Sequence, residues 1–452
     1  MKLKPKHFFL LFAAAFFGGQ LKSQNVLQQY VKLGLDSNLA IKQKNFDLQK
    51  AKLDLKRAEA LFYTQINFAS QYTAANGGRS SDLPIGDLLN NVYSTLNKLT
   101  ATNNFPQVSN QTINFLPNDF HDTRFEVLIP LVNTDIKYNK QIKSELINTQ
   151  QQDVLLYKRE LVKMIKQAYY QYLQADKALS IYQNALNSVN ENLRLNEKLV
   201  KNDVATKEVI ARAKTQVSQV ETSIIEATNN KKNAQAYFNF LLNQSLETPV
   251  NTDSSLLQHL QIKLTTALEV PVQREELAKL QSVKKVYSTN LKMTDATKIP
   301  KLNAAYNIGF QGNGFMFDNK QFYQLAAVQL QWNLFKGFDN RYKIKQSQID
   351  IDAVQNQYND VQKQMLLQVS TANNTYQSAW AALKSTADEM QSSKEVYDFT
   401  EKRYKEGTAL LIELTDARTQ MTNAAIKYSL AQLAVLNKEA ELERVTASYP
   451  LN

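Results

Sequence analysis

The chain has 452 residues and a formal net charge of +11, with 43% hydrophobic residues, 11 Gly and 9 Pro. So few Gly and Pro residues favour a mostly helical fold over many short strands and turns, and the hydrophobic fraction excludes a disordered chain. The absence of Cys excludes disulfides, thiolate metal sites, Cys nucleophiles and a lipid-anchored N-terminal Cys. His7, His121 and His259 have no metal-binding spacing, so each is interpreted as a satisfied or solvated side chain.

The N-terminal segment has the pattern of a secretory signal peptide. Lys2, Lys4 and Lys6 form a basic head, and the apolar run 8–17 that follows is too short to span a bilayer. Residues 1–23 are therefore predicted to be a signal peptide that is cleaved from an exported protein. A retained membrane anchor is the alternative interpretation.

Short segments with the alternation of a β-strand follow, and they are 66–75, 123–131, 300–310 and 327–335. The clearest is 300–310, where Leu302, Tyr306 and Phe310 share one face. Each segment is about ten residues long, which is the length of a transmembrane β-strand. The aromatic residues, with Trp332, are interpreted as an interface belt rather than as a core.

Two segments without Pro or Gly, 135–201 and 338–406, predict helices of about 100 Å each. Each is followed by a helix whose apolar and small residues step alternately by four and three, the pattern of a coiled coil. The two sets lie 204 residues apart in the sequence, and they are Ala213, Val217, Val220, Ile224, Ala227, Lys231, Ala234, Phe238 and Leu241, then Ala417, Met421, Ala424, Tyr428, Ala431, Val435, Lys438, Leu442 and Val445.

The phrase between each long helix and its return helix is also repeated, as "NDVATKEVIARAKTQ" and "EGTALLIELTDARTQ". Gly407 is predicted to take a left-handed turn conformation, and Asp203 or Thr408 to cap the returning helix. The chain is therefore predicted to contain two repeats after the signal peptide. They are 24–248, with a helix, a β-hairpin over 66–131 and a helical hairpin over 135–243, and 249–452, with a helix, a β-hairpin over 300–335 and a helical hairpin over 338–447.

Four strands of this length imply an assembly of several chains. In lipid, every backbone polar group needs a partner, and four strands cannot close into a barrel. At least two chains must therefore share one barrel. The small polar residues Asn303, Asn307, Gln329 and Gln331 favour a wet interior and hence a larger number of chains.

These features together resemble the TolC-like outer-membrane efflux protein family over essentially the whole mature chain. The resemblance is carried by the duplicated plan, the heptad stripes, "IPKLNAAY", "LQWNLFKGFDNR" and "RYKEGTALLIELTDARTQ". It implies a homotrimer in the cell outer membrane, with a twelve-stranded β-barrel and a twelve-helix periplasmic α-barrel. It also implies a passive exit duct for drugs, small molecules or proteins in an efflux or type I secretion system, working with an inner-membrane pump and a periplasmic adaptor.

The resemblance further implies a gate at the periplasmic end. Glu413 and Asp416 match the positions of an acidic ring, with ordinary helix-start acids as the equally weighted alternative. Tyr404 and Glu208 match two members of a latch, whereas Ala409 stands where the family has an Arg. The turns are predicted to dock the adaptor through Val204, Ala205, Thr206, Gly407, Thr408 and Ala409.

Other functional classes receive little support from the sequence. It contains no nucleophile elbow, zinc-protease helix or nucleotide loop, so we expect neither an enzyme nor a cofactor or metal. The charges are interleaved along helices, which does not indicate nucleic-acid binding. The competing interpretation is a periplasmic coiled-coil adaptor or structural protein, which also uses long helical hairpins. The loop 76–119 is expected outside the cell.

Overall fold

The structure is a computed structural model that describes residues 26–116, 118–253, 256, 260 and 274–451. The predicted signal peptide lies outside these residues, as do His7 and His259. Within them the chain is mostly helical. The helices are α1 Val26–Ser37, α2 Leu39–Ala60, α3 Ile85–Thr100, α4 Thr134–Lys201, α5 Lys207–Leu241, α6 Glu275–Asp295, α7 Asp339–Lys405 and α8 Leu411–Val445.

The strands of the described chain form two antiparallel sheets. They are β1 Gln65–Thr73, β2 Ser80–Leu83, β3 Gln111–Asn114, β4 Phe120–Val132, β5 Lys301–Asn313 and β6 Phe322–Gln331. The larger sheet has the order β1-β4-β5-β6, and β2 pairs with β3 in a separate ribbon. The predicted duplicated plan is confirmed, because β1 and β4 lead into α4 and α5, and β5 and β6 lead into α7 and α8.

The long helices have the predicted lengths. With 68 and 67 residues, α4 and α7 are each about 100 Å long at 1.5 Å per residue. Their bounds differ from the prediction by at most one residue at either end. A long run without Pro or Gly keeps its backbone hydrogen bonds unbroken, so the pattern of the sequence is sufficient here.

The chain divides into two compact units. A helical unit contains α1, α5 and α8 with the C-terminal parts of α4 and α7, from Gln150 and Gln357 onward. A strand unit contains the six strands, α3 and the N-terminal parts of α4 and α7.

The heptad stripes form part of the core of the helical unit. Ala213, Phe238, Ala424 and Val435 are all at most 1% exposed, as a stripe that steps by four and three requires when it faces a neighbouring helix. The stripe also contains Lys231, whose ammonium group pairs with Asp176 at 2.6 Å and therefore remains compensated.

A network of ion pairs stabilises one region of the helical unit. Arg274 is 1% exposed and donates from Nε to Glu276 Oε2 at 3.1 Å, while Arg444 donates to Glu160 Oε2 at 3.0 Å. Burial alone would raise the pKa of Glu276, but the hydrogen bond from Arg274 and the positive charges of Arg274 and Arg444 outweigh it and lower that pKa. The network therefore holds the carboxylate in its charged form.

The four-stranded sheet has one polar and one apolar face. The register places the predicted inward residues Asn303, Asn307, Gln329 and Gln331 on one face. The other face exposes large apolar side chains, with Val328 69% exposed and Phe68 63% exposed. A folded domain in water rarely leaves so much apolar surface uncovered, so this face is suited to an apolar environment.

The predicted bounds of the last strand were wrong. β6 ends at Gln331, not at Phe335, and it begins earlier, at Phe322. Gln331 pairs with Lys301, and the residue before Lys301 is Pro300, which has no N–H to continue the ladder. Residues 332–335 alternate as a strand would, but β5 offers them no residues with which to pair.

The segment 76–119, predicted as a loop, contains β2, α3 and β3. Leu88, Val92 and Leu99 lie on one face of α3, at the spacing of a helix. The helical period of these residues is therefore present in the sequence. All three are exposed, at 69%, 52% and 78%.

Candidate functional site

The repeated phrases form two turns of the same kind in the helical unit. Asp203 and Gly407 both have left-handed backbone angles, with φ of 59° and 74°. The next residue in each turn donates its N–H back to the preceding helix, from Val204 to Leu199 O at 2.9 Å and from Thr408 to Arg403 O at 2.8 Å. This is the Schellman arrangement that ends a helix, so the conformation predicted for Gly407 is confirmed.

The predicted caps of the returning helices were wrong. Asp203 takes the position in the first turn that Gly407 takes in the second, and Thr408 Oγ1 donates to Arg403 O at 3.1 Å. The residues that precede α5 and α8 are Thr206 and Leu410, and neither side chain makes a capping hydrogen bond. Both candidates are occupied in ending the outgoing helix, so they are not available to begin the next one.

The predicted docking residues differ in exposure. Val204 is 71% exposed, and Thr206, Gly407 and Thr408 are also exposed. Ala205 and Ala409, which are equivalent in the two repeats, are half-buried. The two turns therefore present small and apolar groups to solvent.

Glu413 and Asp416 lie three residues apart near the start of α8, and both are exposed. Glu413 Oε2 accepts from the Leu410 N–H at 3.3 Å and lies 3.9 Å from Arg403 Nη2. The first contact satisfies an N–H that the helix start would otherwise leave free, so Glu413 acts at least as a helix-start acid.

The structure does not bring Tyr404 and Glu208 together within the chain. Tyr404 is 9% exposed, and its hydroxyl donates to Asn196 Oδ1 at 2.6 Å. Glu208 Oε1 accepts from Arg212 Nε at 3.0 Å on its own helix. Tyr404 thus joins the end of α7 to the end of α4.

Sequence reasoning missed a buried polar cluster beside these residues. Asn196 donates to the Asn192 carbonyl oxygen at 2.8 Å, and it is completely buried. Nearby Arg418, 5% exposed, donates to Gln216, whose amide donates to Thr415 Oγ1 at 2.6 Å. Burial lowers the pKa of Arg418. Polar residues next to a heptad stripe were the available signal, since Arg418 follows Ala417 directly.

Apolar packing holds the same region. Tyr404, Leu411 and Leu414 form a small buried cluster, and Leu195 and Val209 from the first helical hairpin pack against it. The ends of the two helical hairpins are therefore joined by both apolar contact and a buried hydrogen bond.

The described residues lack two features that other kinds of site would need. No group of three or more His, Asp or Glu side chains among them could hold a metal ion. Within the same residues, no helix is both long and apolar enough to cross a lipid bilayer.

Comparison with known proteins tests the resemblance. Residues 270–448 match the family model described as outer membrane efflux protein. The resemblance to the TolC-like efflux family is confirmed. No curated protein sequence matches the chain.

Solved structures of channels share the fold over nearly the whole chain. CusC has a TM-score of 0.75 at 14% identity, and the match covers 93% of this chain and 92% of that one. The Neisseria gonorrhoeae MtrE outer membrane channel has 0.71 at 14%, covering 93% and 88%. The Campylobacter jejuni CmeC outer membrane channel has 0.70 at 12%, covering 93% and 85%. At such identities the likeness establishes the fold.

Proposed function

We propose that this chain is the outer-membrane exit duct of an efflux or type I secretion system, and that it acts as a homotrimer. The main observation behind the proposal is the four-stranded sheet. It exposes one apolar face, and each of its two outer strands is paired along one side only. The match of residues 270–448 to the outer membrane efflux protein family supports it.

Closure of the sheet requires other copies of the chain. β1 pairs along one side with β4, and β6 along one side with β5, so the outer edges of both carry free backbone groups within the described sheet. An open edge is not tolerated in lipid, and β6 of one copy can pair with β1 of the next. Three copies give a twelve-stranded barrel with the apolar face toward lipid and the polar face toward a lumen.

The remaining assignments rest on the resemblance and the helical hairpins. The turns at 202–207 and 405–410 would dock a periplasmic adaptor that connects the duct to an inner-membrane pump. Glu413 and Asp416 would form two stacked acidic rings at the periplasmic mouth, because residues three apart share a helix face. Cargo would then be moved by the pump, and the duct itself would be passive.

The deciding experiment is electrophoresis and conductance of the protein purified in detergent. A duct should migrate as a trimer in SDS without heating, collapse to a monomer on heating and conduct ions across a planar bilayer. The alternative, a periplasmic adaptor or structural protein, would give a soluble product without conductance, and that result would refute the proposal.

A tag tests on which side of the membrane the segment 76–119 lies. Ser80, in β2, is paired with Asn114, so an insertion there would break the ribbon. Gly77 and Gly78 are exposed and have positive φ, which suits an insertion between them. An epitope at this site should bind antibody on intact cells. Binding only after permeabilisation would contradict the topology.

A further inference from the structure

A ladder of charges runs along the polar face of β4. Asp122, Arg124 and Glu126 alternate with apolar or uncharged residues and therefore point to one face. Arg124 Nε donates to Glu126 Oε1 at 2.8 Å, and Arg124 Nη1 pairs with Asp122 Oδ2. Tyr323 Oη donates to Asp122 Oδ1 at 3.2 Å. The arginine is thus held between two carboxylates.

Small residues flank the ladder and leave space for it. In the register of the sheet, Arg124 lies between Ala69 on β1 and Gly309 on β5, and Gly309 is opposite Tyr323 on β6. A Cβ at Gly309 would lie 2.2 Å from the Thr123 carbonyl oxygen and 2.7 Å from Arg124 Cβ, so only Gly fits there. Because Gly309 has no side chain, the Tyr323 ring can pass over it to reach Asp122 on the second strand away.

The ladder holds nearly all the charge of the sheet. Among the residues of β1, β4, β5 and β6, the other charged side chain is Lys301, which is at the start of β5 and pairs with Asp135. The three ladder side chains are between 19% and 26% exposed, so they remain in contact with solvent on that face. Two carboxylates and one guanidinium give each chain a net charge of −1 at this level.

We propose that this ladder sets the ion preference of the strand-lined part of the duct, with Arg124 as the residue that limits its preference for cations. The inference rests on the proposed trimer, in which the polar face lines the lumen. Three ladders then form a ring of net charge −3, and charged rings select ions by sign in channels. This ring is separate from the acids at the start of α8, because it lies in the strand unit.

Removing the positive or the negative charges of the ladder should move the preference in opposite directions. Arg124→Gln changes the ring from −3 to −6, and Asp122→Asn with Glu126→Gln changes it to +3. Three added charges at a distance near the Debye length of about 10 Å in 0.1 M salt change the local cation concentration roughly twofold. The same potential depletes anions by the same factor, so we expect the cation-to-anion permeability ratio to rise about fourfold in Arg124→Gln and to fall below one in the double variant.

The measurement is the reversal potential of purified trimer in a planar bilayer under a potassium chloride gradient. Arg124→Lys keeps the charge and should keep the ratio of the wild type. Arg79→Gln removes the same charge from the segment 76–119, at a residue outside the strands, and should also leave the ratio unchanged. Each variant is first checked as an SDS-resistant trimer.

The possible results separate the two proposals. A wild-type protein that does not conduct would overturn the proposed function. A conducting wild type with the same ratio in Arg124→Gln, or with an equal shift in Arg79→Gln, would overturn the ladder alone. If the double variant does not assemble, the permeability ratios of Arg124→Gln and Arg124→Lys still test the ladder. A charge effect raises the ratio in Arg124→Gln and leaves it unchanged in Arg124→Lys.

Discussion

Replacing Tyr404 by Phe isolates the buried hydrogen bond that joins the ends of α4 and α7. The substitution keeps the aromatic ring beside Leu411 and Leu414 and removes only the hydroxyl that donates to Asn196 Oδ1 at 2.6 Å. Asn196 is completely buried, so its oxygen would be left without this donor in a site that excludes water. A lost hydrogen bond that leaves a buried group unsatisfied costs about 1–3 kcal/mol.

Hydrogen exchange followed by mass spectrometry measures this effect locally. If the free energy of opening the helix ends falls by about 1–3 kcal/mol, amides that exchange through that opening should do so roughly 5 to 150 times faster. The increase should appear in peptides that cover the last turns of α4 and α7 and should be absent from the strands.

The matched control is Tyr342→Phe, on the same helix. The Tyr342 side chain is 65% exposed, so removal of its hydroxyl leaves no buried group without a partner. This variant should leave exchange at the end of α4 unchanged. Equal protection of wild type and Tyr404→Phe, or an equal loss in both variants, would refute the reasoning.

Three further predictions concern the turns, the acids and the ion-pair network. Gly407→Trp should abolish export while trimers assemble, whereas Gly407→Asn should export normally, because Asn tolerates the left-handed conformation that Asp203 adopts in the first turn; an export assay in which the two behave alike would contradict this. Glu413→Gln with Asp416→Asn should remove block by divalent cations in bilayer recordings, and block that persists would reduce these residues to helix-start acids. Glu276→Gln should lower the free energy of unfolding at pH 7 by about 3–5 kcal/mol, because it leaves a buried arginine without its carboxylate. The pKa of Glu276 is lowered in the folded state. Its carboxylate therefore contributes fully to stability at a pH above the ordinary pKa of Glu, and this contribution is lost as the pH falls through the pKa of the folded state. The difference from wild type, measured by circular dichroism, should therefore narrow in acid, and a difference that is constant down to pH 3 would count against this account.

Sequence patterns were sufficient wherever one segment determines its own conformation. The ends of α4 and α7 and the buried stripes of α5 and α8 follow from residues close in the chain, because a helix is made of local hydrogen bonds. The end of β6 is different, because it depends on Pro300, which directly precedes the partner strand β5. A strand ends where its partner ends, and that information is not in the strand itself.

The candidate site shows the same division. Gly407 could be predicted, because a Gly at a helix end commonly takes a left-handed conformation. The left-handed conformation of Asp203 could not be predicted, because a non-Gly residue gives no comparable signal in the sequence. The contact between Tyr404 and Asn196 joins residues 208 positions apart, and only packing determines which polar side chain the hydroxyl meets.

The duplication itself offers a test of why the acids are present in α8. α5 and α8 have the same length, 35 residues, and begin and end 204 residues apart. At the positions equivalent to Glu413 and Asp416, the first repeat has Val209 and Arg212. The first turn is nevertheless made in the same way, with a left-handed residue and the same backward hydrogen bond. An acid pair is therefore not required to form the turn or to begin the returning helix. Its occurrence in the second repeat alone, with an arginine in place of one acid in the first, favours a role that only one of the two hairpins performs, as the proposed ring at the mouth of the duct would need.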